Sequence, residues 1–330
     1  MSQPFGSVFA ETMAISWYRD RVWSPTEMQK LQSISLHPGA HALHYGSECF
    51  EGLKAYRAAD GGVHLFRVDR HVERLRRSAE LLCMPVPEAR FIHEMIEAVV
   101  DASRKIIPTF PGSLYLRPVL LGTQGNIGSA TKSTEEACLY VIASPVGSYF
   151  DESERPLRLF VGEGQMRSTP EFGCAKTGGN YAAALRFTLD AKKRWQADQV
   201  LFCPGGDVQE TGAANFLLID DHSLLTKNLD GSILQGVTRD SLLRLARDSG
   251  YAVEERSFNI AELLERAGRS EAALSGTAAV LTSVGTLVHN GREHQVGDGK
   301  VGPNVRKLRA ALNAIQSGEA EDRYGWRRPV

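Results

Sequence analysis

The sequence predicts an α/β chain of the mixed α+β kind, arranged as two domains. Three observations carry this. The chain has 330 residues, which suggests about two domains at ~150 residues each. Strand-like and helix-like patterns interleave along it without the strict βαβ alternation of a doubly wound sheet. The stretch from Ser144 to Pro156 has turn formers at both ends and a charged middle, as a linker would. The expected division is therefore a small domain at 1–146, a linker at 147–156 and a larger domain at 157–330.

The elements follow in order. Val63 to Phe66 reads as a short strand after the Asp60-Gly61-Gly62 turn. Asp69 is positioned to cap a helix reaching about Cys83, with Val72, Leu75, Ala79 and Leu82 at helical spacing. Pro85 and Pro87 end it, and a second helix is expected from about Pro87 to Ile107. Leu114–Leu121 and Ala137–Ser144 read as buried strands, and Leu157–Gly162 as a strand past the linker. Tyr181–Gln196 reads as a helix with Asn180 as its cap. Val200–Cys203, a turn at Pro204–Asp207 and Val208–Glu210 suggest strand, turn, strand. Ala214–Ile219 and Ser223–Thr226 form a further hairpin. Thr238–Ser249 is expected to be a helix closed by Gly250 at C′, and a last helix runs from about Asn304 to Ile315.

Composition excludes several classes of function. Hydrophobic residues at 42% and charged residues at 23% are ordinary for a globular chain. A formal net charge of -1 leaves no electrostatic footprint for nucleic acid or an anionic membrane. No apolar run approaches the ~18 residues of a bilayer span, and no secretory signal is visible at the start. The five cysteines (49, 83, 138, 174, 203) are odd in number and lack Cys-x-x-Cys spacing, so a reducing cytoplasm fits best. Nucleotide motifs fail as well. Gly162-Glu163-Gly164 has Arg167 where a dinucleotide fingerprint needs its third glycine, and Ala175 precedes Lys176-Thr177 where a P-loop needs glycine. His37, His41 and His44 lack metal-ligand spacing, so no metal is expected.

Lys176 stands out among the lysines. It lies in Phe172-Gly173-Cys174-Ala175-Lys176-Thr177-Gly178-Gly179-Asn180-Tyr181, where small residues allow a flat ligand to approach and no neighbouring carboxylate is available to pair with it. An amine kept from water titrates below its usual range and can act as nucleophile or proton carrier. A solvated lysine in a glycine-rich loop is the alternative. Glu210 is a carboxylate between apolar segments and needs a partner, which a protonated pyridine nitrogen would provide. Leu234-Gln235-Gly236-Val237-Thr238 runs straight into a helix, whose free N–H groups suit an anion. Ser275-Gly276-Thr277-Ala278 is a second small-residue turn of that type. Each feature alone also suits an ordinary turn or cap. Together they are the parts needed to hold pyridoxal 5′-phosphate.

The same segments resemble the branched-chain amino-acid aminotransferases of the fold-type IV pyridoxal-phosphate enzymes. The likeness runs from about Leu36 to Trp326. It rests on His41-Ala42-Leu43-His44-Tyr45-Gly46, Cys49-Phe50-Glu51-Gly52-Leu53-Lys54-Ala55-Tyr56, Lys176 to Tyr181, Leu234 to Asp240, Ser275 to Ala278 and Asp322 to Trp326. The resemblance implies a small N-terminal α/β domain and a larger C-terminal domain with a barrel-like sheet. It implies transamination between leucine, isoleucine or valine and 2-oxoglutarate, with pyridoxal 5′-phosphate as cofactor, in a cytoplasmic homodimer.

Its implied residue roles are specific. Lys176 would bond the cofactor and carry the proton at the substrate Cα. Tyr181 would bind the cofactor phenolate and Glu210 the ring nitrogen. Arg74 would pair with the phosphate, with Val237, Thr238, Gly276 and Thr277. Tyr45, Phe50, Gly52, Tyr149 and Tyr181 would shape the substrate pocket. Tyr115 and Arg117 would bind a substrate carboxylate, and Thr277 and Ala278 the α-carboxylate. Helical periodicity disagrees about Arg74. It puts Arg74 opposite the apolar stripe, with Arg70 and Arg77, as a solvated residue. Lys54 reads as a pocket-edge residue with no catalytic role. Ala213-Ala214 stands where relatives carry larger residues, and the cysteine pair some relatives carry after Ala278 is absent, so no thiol switch is expected. A D-amino-acid or amine transaminase, an aminodeoxychorismate lyase, or a non-catalytic binding protein on this fold are the alternatives.

Overall fold

The computed structural model describes residues 4–128, 130–147 and 155–330. It divides into two compact units. One comprises Met1–Tyr149, Ala175–Gly178 and Ile315–Val330, the other Phe150–Cys174 and Gly179–Ala314. Lys176 and the chain terminus thus group with the N-terminal unit, which a single border at 147–156 does not convey.

The first unit contains β1 (Thr12–Arg19), β2 (Val22–Trp23), β3 (Glu27–Lys30), α1 (His41–Tyr45), β4 (Glu48–Phe50), β5 (Leu53–Arg57), β6 (Val63–Phe66), α2 (Val68–Leu81), α3 (Ala89–Ala102), β7 (Ser113–Gly122) and β8 (Ala137–Val146). A terminal strand at Arg327–Pro329 completes a nine-stranded sheet, ordered terminal strand-β6-β5-β7-β8-β1-β2, with β3 on β1 and β4 on β7. Its pairings are antiparallel; the longest, β7 with β8, registers Ser113 on Val146 through to Gly122 on Ala137. One face is closed by Val72, Leu75 and Ala79 of α2 and Ile92, Met95, Ile96 and Val99 of α3, against Leu53, Leu65, Leu114, Leu116 and Leu139. Met13, Ile15 and Cys138 are buried in a separate cluster. This alternation is the period-two pattern of a sheet with two different faces.

The second unit contains β9 (Leu157–Gly162), α4 (Gly178–Trp195), β10 (Gln199–Phe202), β11 (Asn215–Ile219), β12 (Ser223–Thr226), α5 (Val237–Asp248), β13 (Ala252–Glu255), α6 (Ile260–Ala267), β14 (Glu271–Gly276), β15 (Val280–His289), β16 (Arg292–Gln295) and α7 (Pro303–Ser317). Its eight strands are ordered β10-β9-β15-β14-β11-β12-β13, with β16 on β15, and the sheet curls into a half-barrel. Parallel pairs (β9 with β10 and β15, β12 with β13) mix with antiparallel ones. The mixed α+β class is what the structure shows.

Several expected boundaries move for identifiable reasons. Arg67, not Asp69, precedes α2; it adopts φ 49°, ψ 40° and the helix has no side-chain cap. Asp69 lies in the first turn, where its charge suits the helix dipole. The helix expected from Pro87 starts at Ala89, because Glu88 is extended at ψ 143°. It ends at Ala102, a short 3-10 turn follows, and Ile107 is extended before Pro108. Asn180 does not cap α4 but lies inside it, donating from Nδ2 to the Phe172 carbonyl at 3.0 Å. Val208–Glu210 is not a continuous strand, although Gln209 and Glu210 exchange backbone bonds with Phe202. The sequence reading did not pick out β1 to β5, α1, β13 to β16, α6 or the terminal strand, and Ser275 and Gly276, read as part of a turn, end β14.

Candidate active site

The first unit builds its chemistry around Lys176. The Lys176 N–H donates to Ser78 Oγ at 3.0 Å, and its carbonyl accepts from Phe50 N–H at 3.0 Å. Helix α2 and strand β4 therefore fix the backbone on both sides. The Nζ lies 4.9 Å from the centroid of the Phe50 ring, within cation–π range. The expectation of no neighbouring carboxylate is corrected by the fold. Glu48, two residues before Phe50, accepts the Gly178 N–H at 2.7 Å. Burial raises the Glu48 pKa, while that N–H and the charges of Arg117 and Lys176 oppose the rise.

Arg117 and Tyr115 join the same cluster. The Arg117 guanidinium lies 4.5 Å from the Phe50 ring centroid, and its Nη2 donates to Tyr115 Oη at 3.2 Å. Arg117 Nε is buried with no hydrogen-bond partner among the described residues, an unmet donor suited to an anion. Gly52 is required here, since a Cβ on it would sit 1.9 Å from Tyr115 Oη. Tyr115 and Arg117 line a cavity of about 320 Å³ with Phe5, Phe9 and Ile142. Thus Lys176, Phe50, Gly52, Tyr115 and Arg117 converge as expected. Tyr45 is engaged differently: its hydroxyl donates to the Ile127 carbonyl and its ring packs on His41. Tyr149 lies outside the described residues.

Arg74 overturns the periodicity reading. It is buried, as are His71 and Ser78. These residues, at i, i+3 and i+7, form a polar edge beside the apolar stripe of α2. Glu51 meets that edge. Arg74 donates from Nε to Oε1 at 2.6 Å and from Nη2 to Oε2 at 2.9 Å. His71 Nδ1 lies 2.7 Å from Oε2, and Gly52 N–H donates to Oε2 at 3.0 Å. Burial alone would raise the Glu51 pKa, but the Arg74 charge, followed by His71, holds it well below the usual carboxylate range. Burial lowers the His71 pKa, against the pull of Glu51. On β5, burial brings Lys54 down to about 8.

The second unit holds a different carboxylate. Glu210 Oε1 accepts from Arg167 Nη2 at 2.7 Å and from Leu234 N–H at 2.9 Å, and Oε2 accepts from Asn215 Nδ2 at 2.8 Å. Asn215 Nδ2 also reaches the Leu234 carbonyl at 2.8 Å. A Cβ on Gly236 would lie 2.0 Å from Asn215 Oδ1, so only glycine lets the chain enter α5 this close to Glu210. Val237 and Thr238 open that helix, with N–H groups that have no intrahelical acceptor. On the adjoining strand Ser275 registers with Asn215, and a turn follows at Thr277–Ala279. Ser275 Oγ is buried without a partner among the described residues. Ala213 and Ala214 lie against Gly276 at 3.7 and 3.9 Å from its would-be Cβ. Tyr181 is half-buried in the first turn of α4. A larger cavity, about 770 Å³, is lined from the opposite ends of β11 and β14 by Ile219, Asp220 and Glu271 and holds none of the expected residues.

The sequence reading missed Arg167, His71, Ser78, Glu48 and Asn215 as parts of these clusters. A polar residue repeated at i, i+3 and i+7 beside an apolar stripe was the available signal for α2.

Comparison with known proteins shows the family. Residues 48–286 match the Amino-transferase class IV family. The chain is 39% identical to a probable branched-chain-amino-acid aminotransferase of Streptomyces coelicolor, covering 98% of this chain and 91% of that one. It is 37% identical to the branched-chain-amino-acid aminotransferase of Mycolicibacterium smegmatis, covering 98% and 90%. Among solved structures, the T.th. branched-chain amino acid aminotransferase with pyridoxamine 5′-phosphate superposes with a TM-score of 0.80 at 27% identity, covering 96% and 97%. The Escherichia coli branched-chain amino acid aminotransferase gives 0.75 at 29%, covering 95% and 98%. The chain accordingly belongs to the class IV aminotransferases, among the branched-chain-amino-acid aminotransferases.

Proposed function

We propose that this chain exchanges the amino group of leucine, isoleucine or valine with 2-oxoglutarate, using pyridoxal 5′-phosphate. The observation that carries the reading is the first-unit cluster: an amine pinned at both sides of its backbone, beside an aromatic ring and an arginine with an unmet buried donor. The donor set suits this cofactor. Glu210 offers a buried carboxylate to a ring N–H, and the start of α5 and the buried Ser275 hydroxyl offer donors to a phosphate. When bound, the cofactor supplies an aldehyde for amines and a protonated ring that draws electron density from the substrate Cα.

The chain's own residues do the rest. Lys176 Nζ would hold the cofactor at its aldehyde, with water as the leaving group, and would move the proton at the substrate Cα. Glu210 accepts from the ring nitrogen and keeps it protonated. Tyr181 donates to the ring oxygen. Arg74, Val237, Thr238, Gly276 and Thr277 bind the phosphate. Phe50, Gly52 and Tyr181 wall an apolar pocket, and Tyr115 joins Arg117 in binding a substrate carboxylate. Arg117 takes the second carboxylate of 2-oxoglutarate through its planar fork. Thr277 and Ala278 hold the α-carboxylate. Tyr45 and Tyr149 complete the pocket in a cytoplasmic homodimer. Five free cysteines fit a reducing compartment, and no helix among the described residues is long and apolar enough to cross a membrane.

Steady-state rates with L-leucine, D-alanine and aminodeoxychorismate test the assignment. L-leucine with 2-oxoglutarate is expected to be turned over and the other two not; no rate with L-leucine overturns it. Lys176→Ala should lose all turnover and the visible absorbance of the bound cofactor, and normal transamination by that variant overturns the mechanism.

A further inference from the structure

We propose that Glu51, steadied by His71, is a positioning residue for Arg74, and that it sets how much a ligand's phosphate adds to binding. The proposal rests on the reading of Arg74 as the phosphate-pairing residue. Glu51 and Arg74 form a side-on bidentate pair through Nε and Nη2. Such a pair fixes the plane of the guanidinium as well as its place. Covalent geometry then puts Nη1 on the edge turned away from the carboxylate.

Glu51 is itself held from several directions. Its Oε2 meets Arg74 Nη2, His71 Nδ1 and Gly52 N–H, its Oε1 meets Arg74 Nε, and its backbone N–H donates to the Pro118 carbonyl at 2.9 Å. His71 and Arg74 both come from the buried polar edge of α2, whose Ser78 also accepts the Lys176 N–H. One helical edge therefore orients the arginine and supports the backbone that carries the amine. An arginine held in its binding conformation loses less rotamer freedom when an anion arrives.

The rival interpretation has the opposite sign. If Glu51 served only to neutralise Arg74, its charge would weaken an approaching phosphate, and removing that charge would strengthen binding.

The experiment compares pyridoxal 5′-phosphate with pyridoxal, titrated into the cofactor-free full chain and read by fluorescence quenching. The ratio of the pyridoxal Kd to the pyridoxal 5′-phosphate Kd isolates the phosphate. Arg74→Ala tests the underlying reading: the ratio should collapse, and an unchanged ratio overturns the phosphate role itself. Given that collapse, Glu51→Gln is expected to lower the ratio at least tenfold and to do nothing further in the Arg74→Ala background. A ratio that is unchanged or raised in Glu51→Gln overturns the positioning role alone. General loosening of the fold would weaken both ligands equally and leave the ratio where it was. Should Glu51→Gln fail to fold, Glu51→Asp is read in its place. It keeps the charge but withdraws the carboxylate by one methylene, and the ratio should fall again.

Discussion

Two buried glutamates, one in each unit, meet an arginine at nearly the same distance and are otherwise built differently. Glu51 lies 2.6 Å from Arg74 and Glu210 lies 2.7 Å from Arg167. Around Glu51 the arginine spends two N–H groups and a histidine adds a third contact. Around Glu210 the arginine donates from one nitrogen, which also reaches the Gly173 carbonyl, and a neutral amide and a backbone N–H donate beside it. A carboxylate closed by a bidentate arginine fixes the arginine. A carboxylate that meets an arginine through a single nitrogen, beside a neutral amide and a backbone N–H, does not fix that arginine's plane in the same way. The same two residue types thus give a clamp in one unit and an acceptor in the other.

The largest expected difference lies in stability. Removing the acid from a buried pair leaves an uncompensated cation, at a cost of about 3–5 kcal/mol. Glu51→Ala should reach that range in urea unfolding of the cofactor-free protein, because both Arg74 and His71 lose their acceptor. Glu210→Ala should cost less, since Arg167 retains the Gly173 carbonyl. Equal losses would break the contrast.

Catalysis should show the reverse order. Glu210→Gln is expected to lower kcat ~100-fold, about 2.7 kcal/mol, with the fold intact by circular dichroism. Glu51→Gln at saturating cofactor should lower kcat only a few-fold. A Glu210→Gln enzyme with near-normal kcat would place Glu210 in a structural role only.

Lys54 sharpens the comparison from within the first unit, as a buried cation whose pKa falls to about 8 from the ordinary 10.5. The folded chain then binds fewer protons than the unfolded chain between those values, so stability rises with pH across that window. Below about pH 8 the charged amine costs on the order of 3 kcal/mol. Lys54→Met should raise stability at pH 7, and the gain should shrink towards pH 10.5. A pH-independent gain would show that packing, not charge, is responsible.

The smallest effect concerns acid. Glu51 titrates well below its ordinary 4.5, so its contribution is present above that value and is lost as pH falls through the depressed folded pKa. Stability of the wild type should therefore decline more steeply below pH 4.5 than that of Glu51→Gln. Parallel acid curves would remove Glu51 from the account.

Much of this molecule was readable before folding was considered. Leu157–Gly162 was placed to the residue because a short apolar run bounded by turn formers has few other structures open to it. Lys176 stands out from its local context, Phe50, Gly52, Tyr115 and Arg117 follow from the family resemblance, and the fold brings the five together. Arg74 was read from spacing as solvated because a periodicity count credits only apolar positions. The burial of His71, Arg74 and Ser78 depends on groups that arrive from Glu51 and from Lys176, the latter about a hundred positions away. Short or exposed strands such as β2 and β16 carry little apolar signal, and their pairing partners define them.

The sequence by itself determined the residue types and the local turns: a lysine among glycines, a glutamate after a hairpin, and small residues ahead of a helix. Local sterics and hydrogen-bonding capacity act between near neighbours, so these features need no distant contact. Tertiary structure alone decided which carboxylate each arginine meets, and that Glu48 and Phe50 flank the amine at Lys176. Charge pairing and burial act through space, and only the folded chain brings residues so far apart in sequence within reach of a hydrogen bond.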